Sequence, residues 1–364
     1  MKSAQSTGVD LFAPGRHGDE DAEPGLVDFS VNVRGGPPDF VRAALMAEIE
    51  SLASYPSTAQ DMRVRTIVGA AHGRPADEVL LLAGAAEGFE LLTHLQPSHA
   101  ALILPSFTEP QRVLAAAGVR CSEVVCVAPD WRIDSSSVPD DADLVILGNP
   151  TNPTSVLHPR ADVNALRRPG RILVVDEAFA DLTSSYGDRG QLIMEPESIA
   201  AQRDGDTVVI RSITKTFGLA GLRAGYLLAS AAMISRLTRA RRHWALGSLA
   251  MAAIGACLDR PGLEFARAQA LTVRQQRADM CARLANAGID IVAVPAAPFV
   301  TITLPNALEV KERLRHKGFA VRSCANFVGL GPNYLRLAVR PDAEVAALVG
   351  ALGEILPATW KGHP

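Results

Sequence analysis

Residues 207–226 read Thr207-Val-Val-Ile-Arg-Ser-Ile-Thr-Lys-Thr-Phe-Gly-Leu-Ala-Gly-Leu-Arg-Ala-Gly-Tyr226. The run from Val208 to Ile210 is short, continuous and apolar, the pattern of a buried strand. A Ser/Thr-rich turn then presents Lys215, and glycines at 218 and 221 lead to Arg223 and a second apolar run. One lysine is thus held at a strand end among hydroxyls, with a guanidinium following in the same turn. An ordinary exposed lysine would satisfy this stretch taken by itself, so the rest of the chain has to decide.

Outward from it, apolar runs at 79–83, 101–104, 122–127, 144–147, 172–175 and 226–229 alternate with helical patterns that begin near Ala86 and Glu109. Such alternation predicts an α/β fold with a mainly parallel sheet covered on both faces, and ligands bind at the strand ends of such sheets. Upstream, 26–38 is a short extended segment closing in a Gly/Pro turn, and helices are expected over 39–51 and 60–72. Downstream, one long helical region is expected over 231–258, with Arg239, Arg241, Arg242 and His243 on a solvated face. The Pro261-Gly262 pair separates it from a further helix reaching about 287. The last quarter predicts α+β structure, with strands at 299–304, 319–322 and 334–339 and helices at 308–317 and 342–355. This gives an N-terminal arm over 1–38, packing with the small domain or over the site, a large domain over 39–245 and a small domain over 246–364.

The chain has 364 residues, 48% hydrophobic and 21% charged, enough to bury a large core, and more than one ordinary domain. A net charge of -3 offers no electrostatic footprint for nucleic acid or an anionic membrane. No apolar run approaches the roughly 20 residues of a membrane span, and the first thirty residues carry acids and glycines, so a cytoplasmic protein is expected. The five cysteines are scattered without metal-ligand spacing, which predicts reduced thiols and no metal centre.

Chemistry gathers in the predicted loops. Gly84-Ala-Ala-Glu-Gly88 follows a strand and opens a helix, where backbone N–H groups can bind a phosphate. A dinucleotide-binding fold also places small residues there, but it needs a Gly-x-Gly-x-x-Gly run that is absent. Phe107, at the end of the next strand, can stack on a planar group or fill a core. Asn149-Pro-Thr-Asn-Pro-Thr154 fixes a turn from which Asn152 can donate to a phenolic oxygen. Asp176 closes the 172–175 strand, where a buried carboxylate needs a partner, either a pyridinium nitrogen or an arginine. A lysine that bonds an aldehyde, with Ser212, Thr214 and Arg223 around a phosphate, suits pyridoxal 5′-phosphate (PLP).

The ordered set Gly-Ala-Ala-Glu, Pro-Ser-Phe, Asn-Pro-x-Asn-Pro-Thr, Asp-Glu-Ala-Phe, Ser-x-Thr-Lys and Gly-Leu-Arg-x-Gly-Tyr resembles the fold type I PLP enzymes of the class I/II aminotransferase family over nearly the whole chain. The resemblance implies a large domain with a mainly parallel seven-stranded sheet plus a small α+β domain. It also implies Lys215 as the lysine bonded to PLP, Asp176 against the pyridine nitrogen, Asn152 on the ring hydroxyl and Phe107 stacked on the ring. Gly84, Ala85, Ala86, Ser212, Thr214 and Arg223 would hold the phosphate. Tyr55 resembles the tyrosine that reaches across a homodimer to the partner's phosphate.

Within the family the chain resembles both the L-threonine-O-3-phosphate decarboxylases of cobalamin synthesis and the histidinol-phosphate aminotransferases. The first are favoured by His17-Gly18 ahead of Val27-Asp-Phe-Ser-Val-Asn32, by Thr214 before Lys215, and by the segments 321–330 and 334–340. Position 179, usually a tyrosine in the aminotransferases, is phenylalanine. Asn32-Val-Arg-Gly-Gly-Pro departs from the family's Asn-x-Asn-Pro-Leu-Gly-Pro and is one residue shorter. Substrate contacts are expected from Arg16, His17, Asn32, Arg322 and Arg336, with Arg34 as a further candidate, because guanidinium groups match phosphate and carboxylate geometry. The substrate expected is therefore a small phosphorylated amine. A regulator that uses the same fold without catalysis is the alternative of another class; it would lack the lysine or the aspartate, and both are present.

Overall fold

The computed structural model describes residues 18–357. Seven strands form its larger sheet: β1 (Val79–Leu82), β2 (His99–Leu104), β3 (Arg120–Val125), β4 (Leu144–Gly148), β5 (Ile172–Asp176), β6 (Thr207–Ser212) and β7 (Gly225–Leu228). They lie in the order β1-β7-β6-β5-β4-β2-β3. Neighbours from β6 to β3 are parallel, whereas β7 runs antiparallel to both β6 and β1.

Side chains alternate between the two faces of a strand, and both faces here are covered, so the strands read as unbroken apolar runs. One face places Val79, Leu81, Val145, Leu147, Leu173, Val175 and Val209 against Val64 and Val68 of the Thr58–His72 helix and Met251 and Ile254 of the Ser248–Leu258 helix. The other places Leu80, Leu82, Leu102, Ile146, Val174, Val208 and Ile210 against Phe89 and Leu92 of the Ala85–Leu92 helix and Met233 and Leu237 of the Ala231–Leu237 helix. Parallel alignment brings the carboxyl ends of β2, β4, β5 and β6 to one edge, and register sets Asp176 beside Gly148 and Ile210.

A second sheet, β8 (Asp290–Ile291), β9 (Phe299–Thr303), β10 (Arg322–Ser323) and β11 (Tyr334–Ala338), is antiparallel in the order β8-β9-β11-β10. Val27–Asp28 pairs in parallel with Phe319–Ala320, and Phe29 is fully buried in the core beneath this sheet with Val300 and Leu337. The described part of the N-terminal arm is therefore built into the smaller unit.

Two expectations need correction. The region 231–258 is not one helix: Ala231–Leu237 and Ser248–Leu258 are separated by an irregular connector. In it Trp244 adopts a left-handed backbone, φ 52°, and Arg241 turns inward to Glu87 instead of lying on a solvated face. The second helix packs in the core of the large sheet. The strand expected at 319–322 divides, with Phe319–Ala320 pairing to the arm and Arg322–Ser323 to β11.

Truncating Phe29 removes the largest apolar tie between arm and core, so Phe29→Ala should cost about 3–5 kcal/mol of stability. Thermal melting should show this as a lowered transition; an unchanged transition would mean the arm is held by its backbone pairing alone.

Candidate active site

The strand ends and the smaller sheet enclose a cleft of about 430 Å³. It is lined by Lys215, Asp176, Asn152, Phe107, Phe179, Ala85, Ala86, Ser212, Thr214 and Arg223 from the large sheet's loops. Asn32, Arg322 and Arg336 line it from the other side. Most of the cofactor and substrate positions expected from the sequence thus come to one cavity.

Lys215 stands in the short helix Thr214–Phe217 directly after β6. That helix ends at Gly218, whose φ of 65° is left-handed. A Cβ there would lie 2.8 Å from the carbonyl carbon of Gly36 and 2.9 Å from the Gly35 oxygen, so glycine is required by conformation and by space. The Lys215 Nζ lies 6.0 Å from the centroid of the Phe179 ring. Phe179 meets Phe299 edge to face at 5.0 Å, and Arg336 lies over Phe299 at 5.5 Å, so an aromatic wall joins the lysine to the arginines.

Asp176 accepts a hydrogen bond from the Ala178 N–H at 3.0 Å. Burial pushes its carboxyl up to about 6, against the pull of that hydrogen bond and of the Lys215 charge. A carboxylate so placed gains from a cation delivered into the cleft. The Gly84 turn, φ 86°, precedes the Ala85–Leu92 helix, whose first amides face no side-chain cap from Gly84. A Cβ on Gly84 would stand 2.8 Å from Arg223 Nη2, so the guanidinium closes directly over the turn. Helix amides, Arg223 and the hydroxyls of Ser212 and Thr214 form a cradle with the donor set of a phosphate site.

On the opposite wall, Arg322 and Arg336 are cross-strand partners in register, 2% and 6% exposed. Like charges directly opposite each other destabilise a sheet unless anions answer them. Arg336 donates to Asn152 Oδ1 at 2.6 Å and to the Ser30 carbonyl at 2.6 Å, while its Nε has no hydrogen-bond partner among the described residues. Burial lowers its pKa to about 10. Arg322 donates to Asn326 Oδ1 at 2.9 Å, lies over the Phe327 ring and approaches Asp21 Oδ2 at 3.6 Å. Asn32 is buried, and its Oδ1 has no hydrogen-bond partner among the described residues. With the Asn152 oxygen engaged by Arg336, its amide nitrogen remains to donate to a ligand.

Two expected residues, Arg34 and Tyr55, stand apart from the cleft. Arg34 is correctable: it donates to the Val339 carbonyl at 3.0 Å and to Gln276 Oε1 at 2.5 Å, tying the arm to the C-terminal unit, and does not line the cleft. Arg16 and His17 lie outside the described residues. Tyr55 is 75% exposed and stacks on Trp244 at 4.4 Å, away from its own chain's cleft. Sequence reading assigned no contact to Ser30, Asp21 or Phe327, although Ser30 and Phe327 lie inside the segments 27–32 and 321–330 that it singled out. It also missed the Arg241–Glu87 pair behind the phosphate cradle, signalled only by the glutamate three residues into the helix.

A lysine at the end of β6, a buried carboxylate at the end of β5 and a phosphate cradle after β1 define a PLP-dependent enzyme of fold type I. The chain belongs to the aminotransferase class I and II family, whose model matches residues 24–352. It is 48% identical over 345 residues to a histidinol-phosphate aminotransferase of Mycobacterium tuberculosis, spanning 94% of this chain and 91% of that protein. It is 28% identical to the threonine-phosphate decarboxylase of Salmonella typhimurium, spanning 91% of each. The crystal structure of histidinol-phosphate aminotransferase from Clostridium acetobutylicum superposes with a TM-score of 0.81 at 23% identity, covering 91% of this chain and 99% of that one. Among the described residues no helix is long and apolar enough to cross a membrane.

The Asp176 carboxyl gives a pH test on the cofactor-free chain. The unfolded chain releases this proton near an ordinary aspartate value, about 3.9, and the folded chain holds it to about 6. Between these the folded state binds more protons, so stability falls as pH rises and levels off above the window. Asp176→Asn removes that loss. The melting temperature of the variant minus that of wild type should therefore grow from pH 4 to pH 6.5; a constant difference would remove Asp176 as the titrating group.

Proposed function

We propose that this enzyme transfers the amino group of histidinol phosphate to 2-oxoglutarate. The observation that carries this reading is the 48% identity, across 94% of the chain, to a protein named for that activity. The cobalamin-type decarboxylation favoured from sequence features now stands second, because its named relative is more distant. The paired buried arginines on the wall facing Lys215 agree with a substrate that is anionic at the end away from its amine.

PLP, when bound, supplies an electron sink for the bond broken at the substrate carbon bearing the amine. Asp176 would hold the ring nitrogen protonated, Phe107 would hold the ring plane, and the Gly84 cradle with Arg223 would hold the phosphate. Arg322, Arg336 and Asn32 orient the phosphate of the amino alcohol or the carboxylates of the acceptor, with Arg16 and His17 as further contacts. Lys215 Nζ, which lines the cleft, would be the base that takes and holds the proton of the substrate carbon. Tyr55, exposed on its own chain, reaches the partner's cofactor phosphate in a homodimer, which acts in the cytoplasm.

One observation favours the second reading. Phe179 is buried against Phe299 and supplies no hydroxyl where the aminotransferases usually carry a tyrosine. Decarboxylation needs the carboxylate, not the Cα–H bond, perpendicular to the ring, a difference of substrate orientation between the same residues.

The test is a pair of assays: histidinol phosphate with 2-oxoglutarate, reading glutamate, against L-threonine phosphate, reading CO2. Glutamate formation, lost by about a thousandfold or more in Lys215→Ala, is the expected result. CO2 release without glutamate would replace this function with the second, and neither product would exclude both.

A further inference from the structure

We propose that Arg241 is a positioning residue for the cofactor phosphate, acting through Glu87; this rests on the PLP reading of the cleft. Glu87 is the third residue of the Ala85–Leu92 helix, and its Oε2 accepts the Ala83 N–H at 2.6 Å. It therefore braces the Gly84 turn, where the glycine has no side chain to cap the helix, without itself lining the cleft. The brace introduces an electrostatic conflict. A carboxylate within the first turn sits beside the same amides that must receive a phosphate dianion, and two anions there repel.

Arg241 resolves it. Its Nε donates to Glu87 Oε1 at 2.9 Å and its Nη2 to Glu87 Oε2 at 2.9 Å, a bidentate pair, while Nη2 also donates to the Leu81 carbonyl at 2.7 Å. The side chains are 15% and 11% exposed, so solvent screens the pair only in part. The guanidinium thus ties the last turn of β1 to the helix start and cancels the charge of the brace. It is delivered by the irregular connector that interrupts the expected 231–258 helix, which assigns that interruption a purpose.

The experiment titrates the cofactor-free chain with PLP and, separately, with pyridoxal, which lacks the phosphate, following the absorbance of the lysine-bound chromophore. Arg241→Ala should raise the PLP dissociation constant about ten- to a hundredfold and leave pyridoxal binding within about twofold. Arg241→Ala combined with Glu87→Gln should recover most of the loss, because the repelling charge goes with its partner. Arg241→Lys, which keeps the charge, should fall between wild type and Arg241→Ala and guards against a misfolded alanine variant, with melting curves reported for each. Equal weakening of PLP and pyridoxal, or no recovery in the double variant, would reduce Arg241 to a structural tie and overturn the proposal. A wild-type chain that forms no chromophore with PLP would overturn the cofactor reading itself, and this one with it.

Discussion

A carboxylate buried at the end of β5 is the constraint around which the cleft is arranged. Asp176 accepts one backbone N–H and lies within the field of Lys215, yet burial still lifts its carboxyl to about 6. Such a group is poised between neutral and ionised and takes its charge from what enters the cleft. On the reading proposed above, that entrant is a protonated ring nitrogen. The parallel register then does the placing: Asp176 beside Gly148 on one side and Ile210 on the other brings the Asn152 turn and the Lys215 turn to the same cleft.

The second constraint is the Arg322–Arg336 pair. Register forces the two guanidinium groups together inside the smaller unit, where each is costly without an anion. The chain answers in part from its own arm, with Asp21 near Arg322 and the Ser30 carbonyl on Arg336. Both contacts come from a segment tied to the smaller unit through Val27–Asp28, so the described part of the arm and the two arginines form one wall of the cleft that Lys215 also lines.

Legibility followed the physics of each feature. The strands of the large sheet were readable because burial on both faces makes them unbroken apolar runs, but no such run reports direction, so β7's antiparallel course was not. The site positions inside motifs, Lys215, Asp176, Asn152 and the Gly84 turn, were readable because turn chemistry demands those residues there. The 239–247 connector was not, since arginines and alanine are good helix formers and only the tertiary bond from Arg241 to Glu87 draws the chain out of the helix. Arg34 misled for the converse reason: its side chain is spent on Val339 and Gln276, partners about 240 to 305 residues away in sequence.

The back of the sheet explains why the motifs extend one residue beyond the chemistry. Glu177 follows Asp176, Arg211 precedes Ser212, and Thr216 follows Lys215. Arg211 is fully paired, with Glu177 at 2.8 Å and Glu195 at 2.7 Å, while Thr216 donates to the buried Asp181 at 2.6 Å. Adjacent residues at a strand end point to opposite faces, and Lys215 and Thr216 are successive residues about 100° apart around a helical turn, so each dipeptide gives one group to the cleft and one to the packing behind it. Breaking a buried ion pair by removing one partner costs about 3–5 kcal/mol, which makes the network a stiff backing. Asp176, Ser212 and Lys215 each stand next to a residue anchored by these bonds. The Asp-Glu, Arg-Ser and Lys-Thr pairs therefore couple a residue that lines the cleft to a neighbour that stiffens the backbone beside it.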